Sequence, residues 1–402
     1  MPKLHIAIFT DQNPGSLGGS QASVMLQKKF LEHAGHKVTV IAPQGDNPPA
    51  PGIITYPSLP LTPNREFAFT FRVFRSLKIA EHKLANQKTK VDLVHIQADN
   101  WGAIIGNLFG TRHKLPIVNT MHTNLDYALR KLLGPIFSPV TCWVLSLAYQ
   151  SSGLPNGKVT TNPWVYLRSI TSNAQVILSP SQHFANLAMK NGVAEVIDVL
   201  PNGVDDKFVN LDLDLPPKPK HEPGSAVTFI WSGRINPEKR IMVFLQAAKL
   251  ANLNASYKIY GSGTQLEEAE RFVEQHKLDD QVKFMGRLTH NDMLLEMRNA
   301  DVLVQTSVGF ETQGMTVYEA GVMGTPSVIC DHNIAGDIPE DSYWLVKDES
   351  VEALADAIKI AAQDVEQNRS KHIDLRRSML QSKITELQLA YYDRAIKLHQ
   401  AK

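Results

Sequence analysis

Two runs of alternating apolar strands and helices, broken by a proline-rich stretch, limit what this 402-residue chain can fold into. In the first run LHIAIFT (4–10) is a short apolar segment, followed by the glycine-rich NPGSLGGSQ and then by SVMLQKKFLEHAGH. That last segment has helical spacing, with Val24, Leu26, Phe30 and Leu31 inward and Gly35 as its stop. KVTVIAP is the next strand. Strand, helix and strand at this spacing form a βαβ unit, so a parallel sheet is expected. VDLVHIQ (91–97), LPIVNTMH (115–122), VILSPS (176–181) and VIDVLPNG (196–203) read as further strands. Ligands of such sheets bind beyond the carboxyl ends of the strands. The loops after Thr10, Gln97, His122, Ser181 and Asn202 are therefore the ones to watch.

From Phe208 to Ser225 the chain reads FVNLDLDLPPKPKHEPGS, with four prolines between 216 and 223, a stiff exposed tether. The alternation then restarts with AVTFIWSGR, the helix IMVFLQAAKLA, ASYKIYGSG, the helix LEEAERFVEQHKL, VKFMGRL, the helix NDMLLEMRNA, DVLVQTS and, further on, SVICD. The tail, VEALADAIKIAAQ and KITELQLAYYDRAIKLHQ, is helical. The expected organisation is two similar parallel α/β domains, 1–205 and 226–385, joined by a linker over 206–225. A C-terminal helix, 386–402, packs back on the first domain. The 20–50-residue period of a solenoid is absent.

Composition narrows the class. Hydrophobic residues make up 43% and charged residues 20%, enough to bury real cores. The two cysteines, Cys142 and Cys330, are far apart and form no CxxC, which fits a reducing compartment. The N-terminus enters a strand-like run with no signal-peptide pattern, so a cytoplasmic location is expected. Residues 1–205 hold 18 basic and 11 acidic side chains; the remainder holds 23 and 29. Either the first half meets something anionic or the halves attract each other.

GFETQGMTVYEAGVMGTP (309–326) carries Glu311 and Glu319 and no other charge. It follows the buried strand DVLVQTS and contains the short helix MTVYEAGVMG. The first amides of that helix lack intrahelical partners and form a ready phosphate site, which Gly314 lets a ligand approach closely. Carboxylates repel phosphate, so the two acids should point past it and accept hydrogen bonds from neutral hydroxyls. A nucleotide sugar offers these on both flanks of its diphosphate. Glu311 would take the hexose and Glu319 the ribose. A capping acid plus a helix-surface glutamate is the plainer alternative. In GRINPEKR (233–240), Arg234 and Lys239 frame a turn after a strand, where a guanidinium and an ammonium would neutralise a diphosphate without metal. A solvated basic turn is the alternative there.

GRINPEKR, YGSGTQLEE, MGRLTHND and ETQGMTVYEAGVMGTP, in that order, resemble the C-terminal half of the retaining GT-B glycosyltransferases with the E-x7-E motif. FTDQNPGSLGGSQ, MHTNLDY, SPSQHFAN and PNGVDDKF agree with the N-terminal half, so the resemblance spans nearly the whole chain. It implies two Rossmann-like domains facing across a cleft, the first holding an acceptor and the second a nucleotide sugar. Arg234 and Lys239 match diphosphate ligands, Glu311 the acid at the donor hexose and Glu319 the one at the ribose. Leu288 sits where main chain meets the base. Gln313, Gly314, Met315 and Thr316 fall in the donor loop and helix start. His122 matches a histidine that reaches the transferred sugar, and Gly18 and Gly19 a glycine loop over the donor phosphates. Where many members have Gly-Phe-Gly after the first acid, this chain has Thr312-Gln313-Gly314. That form, with HTNLDY, looks most like the branch that glucosylates diacylglycerol-type lipids.

The resemblance implies hexosyl transfer with retention, from UDP-hexose or GDP-mannose to a lipid or glycan hydroxyl. Attack comes from the front face, and the departing phosphate takes the acceptor's proton. No metal and no cofactor are required, and no nucleic-acid partner is expected. Asp212-Leu-Asp214 lies in the tether and reads as solvated surface. A nucleotide-sugar 2-epimerase of the same fold and a non-catalytic nucleotide-sugar sensor are the competing readings.

Two further segments suggest an anionic membrane surface. FRVFRSLKIAEHKLANQKTK (71–90) joins Arg72, Arg75, Lys78, Lys83, Lys88 and Lys90 to Phe71, Phe74, Leu77 and Ile79, with Phe67 and Phe69 just before it. An ordinary outer helix of a βαβ unit is the alternative. Leu132–Tyr149 has 18 residues, but two prolines, a glycine, two serines and a threonine interrupt it. A spanning helix wants ~20 mostly apolar residues, so an interfacial or core segment is expected.

Overall fold

A strand buried on both faces must be apolar throughout rather than alternating, and β1 (His5–Thr10) is buried at all six positions. The computed structural model describes residues 2–14, 19–45, 49–60, 68–70, 72–207, 221–222 and 224–401. The chain divides into two units, Met1–Gly203 with Gln381–Lys402, and Val204–Leu380.

In the first unit β1 is joined by β2 (Lys37–Pro43), β3 (Ile53–Tyr56), the short antiparallel ribbon β4 (Leu59–Pro60) with β5 (Ala68–Phe69), and then β6 (Leu93–Gln97), β7 (Ile117–Thr120), β8 (Val176–Ser179) and β9 (Asp198–Val199). Seven of them form one parallel sheet in the order β3-β2-β1-β6-β7-β8-β9. Its helices are α1 (Gly19–His33), α2 (Val73–Ala85), α3 (Trp101–Arg112), α4 (Leu125–Ser151), α5 (Pro163–Thr171) and α6 (Gln182–Lys190). Ala7 and Phe9 of β1 pack with α2 to α6, while Ile6 and Ile8 pack with α1 and the C-terminal helix. Burying one such side chain stabilises by roughly 1.5–3 kcal/mol. A one-residue slip of the strand would send every one to the wrong face.

The second unit repeats the plan with β10 (Val227–Ser232), β11 (Ala255–Tyr260), β12 (Val282–Gly286), β13 (Val302–Gln305), β14 (Ser327–Ile329) and β15 (Tyr343–Leu345). Their order is β12-β11-β10-β13-β14-β15, all parallel. The helices are α7 (Ile241–Ala251), α8 (Leu266–Gln275), α9 (His290–Asn299), α10 (Met315–Val322), α11 (His332–Ala335), α12 (Val351–Glu366) and α13 (Arg376–Met379). α7, α8 and α12 cover one face, and α9, α10, α11 and α13 the other. α14 (Gln381–Gln400) belongs to the first unit.

Several local expectations change. In α1, Leu26 and Phe30 are only half-buried, while Ser23 and Gln27 are buried in their place, because a polar network occupies that interface. β9 is two residues long rather than the whole of 196–203. α14 starts at Gln381, five residues before the expected Glu386, so the whole helix, and not its last part, lies in the first unit. In the 71–90 segment the helix ends at Ala85, and Leu77 faces the core. Arg72, Phe74, Arg75, Lys78 and Lys83 remain exposed. Residues 132–149 fall inside α4, which breaks at Gly134 (φ +74°) ahead of Pro135 and Pro139. Cys142, Leu145 and Tyr149 go to the core; Ile136 and Phe137 are 75% and 65% exposed. No helix among the described residues is long and apolar enough to cross a membrane. Gly18, Phe67, Phe71, the Asp212/Asp214 pair and most of the tether lie outside the described residues.

Candidate active site

In the second unit the strand order reverses between β10 and β13, so the loops leaving their carboxyl ends open a crevice at a topological switch point. The loop after β10 is GRINPEKR. It is stitched to the glycine turn after β11: Gly233 N–H donates to Tyr260 O at 3.1 Å and Ile235 N–H to Ser262 O at 3.0 Å. The approach is so close that a Cβ on Gly261 would lie 1.9 Å from Gly233 O. Only glycine fits there. The loop closes in a short 3-10 turn, Pro237–Lys239, and Arg240 takes φ +55° before α7.

This geometry aims two cations at the loop after β13. Thr306 Oγ1, held by Trp231 Nε1 at 2.9 Å, donates to Lys239 O at 2.5 Å. Lys239 Nζ pairs with Glu311 Oε1 and lies 5.5 Å from the centre of the Phe310 ring. Ser307 Oγ donates to the same carboxylate oxygen at 2.9 Å. Burial pushes the Glu311 carboxyl up, but the Lys239 charge and hydrogen bond, with Ser307 and the Arg234 charge, outweigh it and hold it below its usual range. Arg234 is steered by Glu238, 3.8 Å away and itself buried.

α10 begins immediately after this loop. Its N-cap, Gly314, has φ +81° and offers no side-chain cap, and a Cβ there would meet Ile334 at 2.7 Å. Met315 and Thr316 are the first residues of the helix, and Gln313 just before it is buried. Glu319, one turn in, is a different acid from Glu311. Burial raises its carboxyl to about 7, and its neighbour is His290 Nδ1 at 3.7 Å. Leu288 lies on the loop after β12, 40% exposed. That loop is tied to the glycine turn by Gly261 N–H donating to Gly286 O at 2.8 Å.

In the first unit the reversal falls between β1 and β6. A pocket at this edge is lined by Thr10, Asp11, Gln97, Asp99 and His122, among others. Asp11 accepts from the backbone N–H groups of Asp99, Asn100 and Gly102 at 2.6–2.8 Å, capping α3 from outside. His122 N–H donates to Asp99 Oδ2 at 3.1 Å, and its Nε2 lies 3.0 Å from Gln97 Oε1. Packing around the ring pushes the imidazole down to about 4, so it is neutral at pH 7. Burial, reinforced by the Asp11 charge, raises Asp99 to about 7. Gly19 is the first residue of α1 and exposed.

Residues 217–374 match the family described as Glycosyl transferases group 1, and residues 17–208 match Glycosyltransferase Family 4. The chain is a glycosyltransferase, and its two halves match these two families. Its fold is GT-B. An alpha-monoglucosyldiacylglycerol synthase from Acholeplasma laidlawii is 23% identical to this glycosyltransferase over 356 residues, covering 84% of this chain and 83% of that one. Anabaena HepE, solved with UDP and glucose, superposes with a TM-score of 0.69 at 15% identity, covering 97% of this chain and 99% of the other. A sucrose-phosphate synthase from Thermosynechococcus elongatus gives 0.68 at 17%, covering 100% and 98%.

Within this glycosyltransferase, then, Arg234, Lys239 and Glu311 form one cluster, with Gly314, Met315 and Thr316 at the adjoining helix start. Glu319 keeps separate company with His290, and His122 and Gly19 belong to the other unit. Among the described residues no group of three or more His, Cys, Asp or Glu side chains is arranged to hold a metal ion. Sequence reading missed Glu238, Ser307, His290, Gln97 and Asp99. The i, i+4 spacing of Arg234 and Glu238 was a visible signal; the rest meet only through the fold.

Proposed function

We propose that this glycosyltransferase moves a hexose from a nucleoside diphosphate sugar, UDP-hexose rather than GDP-mannose, to a hydroxyl of a diacylglycerol-type lipid, with retention and without metal. The observation that carries the reading is the cluster of Arg234, Lys239 and Glu311 beside the uncapped start of α10. A diphosphate there meets two cations and free amide dipoles, while Glu311 is held ionised to accept a hexose hydroxyl. The UDP and glucose in HepE and the lipid product named for the Acholeplasma relative support the choice of donor and acceptor.

In the reaction the bond from the anomeric carbon to the β-phosphate oxygen breaks, and charge grows on that oxygen. Lys239, Arg234 and the α10 amides stabilise it. The acceptor oxygen bonds to the same face of the anomeric carbon, and its proton passes to the departing phosphate. Glu311 positions the hexose, and His122, neutral, is assigned a hydrogen bond to the transferred sugar. Glu311→Ala tests this directly. Turnover should fall by ~10³-fold, within the span reported for lost transition-state contacts, while UDP still raises the melting temperature. Unchanged turnover rejects the assignment, and loss of turnover with epimerised donor in the absence of acceptor favours a 2-epimerase.

A lipid acceptor also implies a peripheral place on an anionic membrane. The exposed basic residues of α2 and the exposed apolar side chains of α4, including Ile136, Phe137 and Val140, fit that surface. The protein should co-sediment with anionic vesicles, and Phe137→Asp should reduce the bound fraction. Equal recovery with neutral and anionic vesicles speaks against it.

A further inference from the structure

A chain of buried neutral side chains leads from the C-terminal helix to His122, all within the first unit. Gln388 of α14 donates through its one amide nitrogen to Tyr392 Oη at 2.7 Å and to Gln27 Oε1 at 2.8 Å. Gln27 Oε1 accepts a second bond, from Gln97 Nε2 at 2.7 Å. Gln97 Oε1 faces His122 Nε2 at 3.0 Å. Gln27, Gln97, His95, Gln388 and Tyr392 are all 5% exposed or less.

With Asn202 Oδ1 accepting from Ser23 Oγ, the donors and acceptors in this chain run in one direction. Gln27 is pinned from behind, since its Nε2 donates to Ser23 Oγ at 3.0 Å and Ser23 Oγ donates to Asn202 Oδ1 at 2.6 Å. Its carbonyl must then face Gln97 and Gln388, and both must present N–H groups to it. Turning the Gln97 amide over would set its oxygen against the Gln27 oxygen. Gln97 therefore shows its carbonyl to His122, and His122 must answer with Nε2–H. A side branch agrees: Tyr392 Oη donates to His95 Nδ1 at 2.8 Å, and His95 Nε2–H donates to Thr120 Oγ1 at 2.7 Å. Every member is then neutral, as deep burial demands.

We propose that Gln388 is a positioning residue for His122, acting through Gln27 and Gln97, so that the C-terminal helix decides which imidazole nitrogen carries the proton. The inference rests on the reading of His122 as the group that meets the transferred sugar. It gives α14 a part in the reaction although Gln388 is more than two hundred residues from His122 in sequence. Orientation and tautomer of a histidine are set by what its other nitrogen bonds, and here that partner is itself held from α14.

Gln388→Glu removes the N–H that holds the Gln27 carbonyl; once the new carboxyl ionises at high pH its oxygens repel that carbonyl, and Gln27 and Gln97 turn over. Histidine 15N chemical shifts in the whole protein should then show His122 losing its Nε2–H form. The value of kcat should drop by ~5–10-fold, the size of one lost neutral hydrogen bond, with KM for UDP-glucose unchanged. Tyr392→Phe, which removes one oxygen, should act in the same direction and less strongly, and it guards against a Gln388→Glu protein that fails to fold. In a His122→Ala background neither substitution should have any further effect on kcat. An unaltered His122 15N pattern in both folded variants overturns the proposal, as does a kcat loss that persists in the His122→Ala background. If His122→Ala alone keeps full turnover, the sugar-contact reading of His122 falls, and the 15N pattern still decides whether α14 sets its tautomer.

Discussion

The two units use one topology and hold their candidate site residues at the same place in it, the reversal of strand order at the carboxyl edge, yet the side-chain contacts of those residues differ in charge. Beyond β10 and β13 the side chains are ions: Lys239 against Glu311, Arg234 against Glu238. Beyond β6 and β7 the His122 ring meets neutral side chains, His122 on Gln97 and Gln97 on Gln27, while the acids there, Asp11 and Asp99, bond backbone N–H groups. A diphosphate leaving group needs fixed charge of opposite sign, and a sugar hydroxyl needs hydrogen bonds of defined direction. The contrast teaches that this fold supplies only the edge, and that loop residues set which kind of bond is made there.

Substitutions at the two edges should therefore differ in size. Lys239→Ala removes a cation from the place where leaving-group charge develops, so kcat should fall by ~10²–10³-fold. His122→Gln keeps a neutral hydrogen-bonding group and should lower kcat by ~10-fold. Both are read from steady-state rates at saturating UDP-glucose. Comparable losses would erase the distinction between a charged and a neutral contact. A Lys239→Arg protein that recovers most of the rate would sharpen it, because charge rather than shape would then be the requirement.

The fold was legible because both signals are local. Buried parallel strands read as continuous apolar runs, and LHIAIFT and DVLVQTS show it. The short edge strands β3, β9 and β15 were missed or overdrawn because two to four residues carry too little pattern. The helix 101–112 was also missed. Ten of its residues are buried all round, so it has no polar face to mark its period, and its cap comes from Asp11, ninety residues earlier. In α1 the prediction that Leu26 and Phe30 face inward was off because Ser23 and Gln27 take that side, and their partners Asn202, Gln97 and Gln388 are unreadable from helical spacing. The same division holds at the site. Arg234, Lys239, Glu311 and Gly314 sit in contiguous motifs. Ser307 and His290 are ordinary residues until the fold sets them beside Glu311 and Glu319.

The smallest effect should come from the difference between those two acids. Glu311 is held ionised by Lys239 and stays so throughout the neutral range, whereas burial raises Glu319 to about 7 from an ordinary value of 4.5. A ribose diol is bound better by a carboxylate than by a neutral carboxyl, by about 1 kcal/mol. Affinity for UDP should consequently weaken by ~5-fold between pH 8 and pH 6, measured by calorimetry. The unliganded protein should behave in the other direction. A group whose folded pKa is raised binds its proton more tightly in the folded state. Its contribution to stability is thus present below about 4.5 and is lost as pH rises through about 7. Glu319→Gln should flatten both trends, and the two slopes of opposite sign separate a ribose contact from a merely buried acid. If the variant keeps the pH dependence of UDP binding, another group senses the pH and Glu319 does not face the ribose. If Glu311→Gln flattens it instead, the titrating acid is the one beside Lys239, and the division of labour between the two glutamates is reversed.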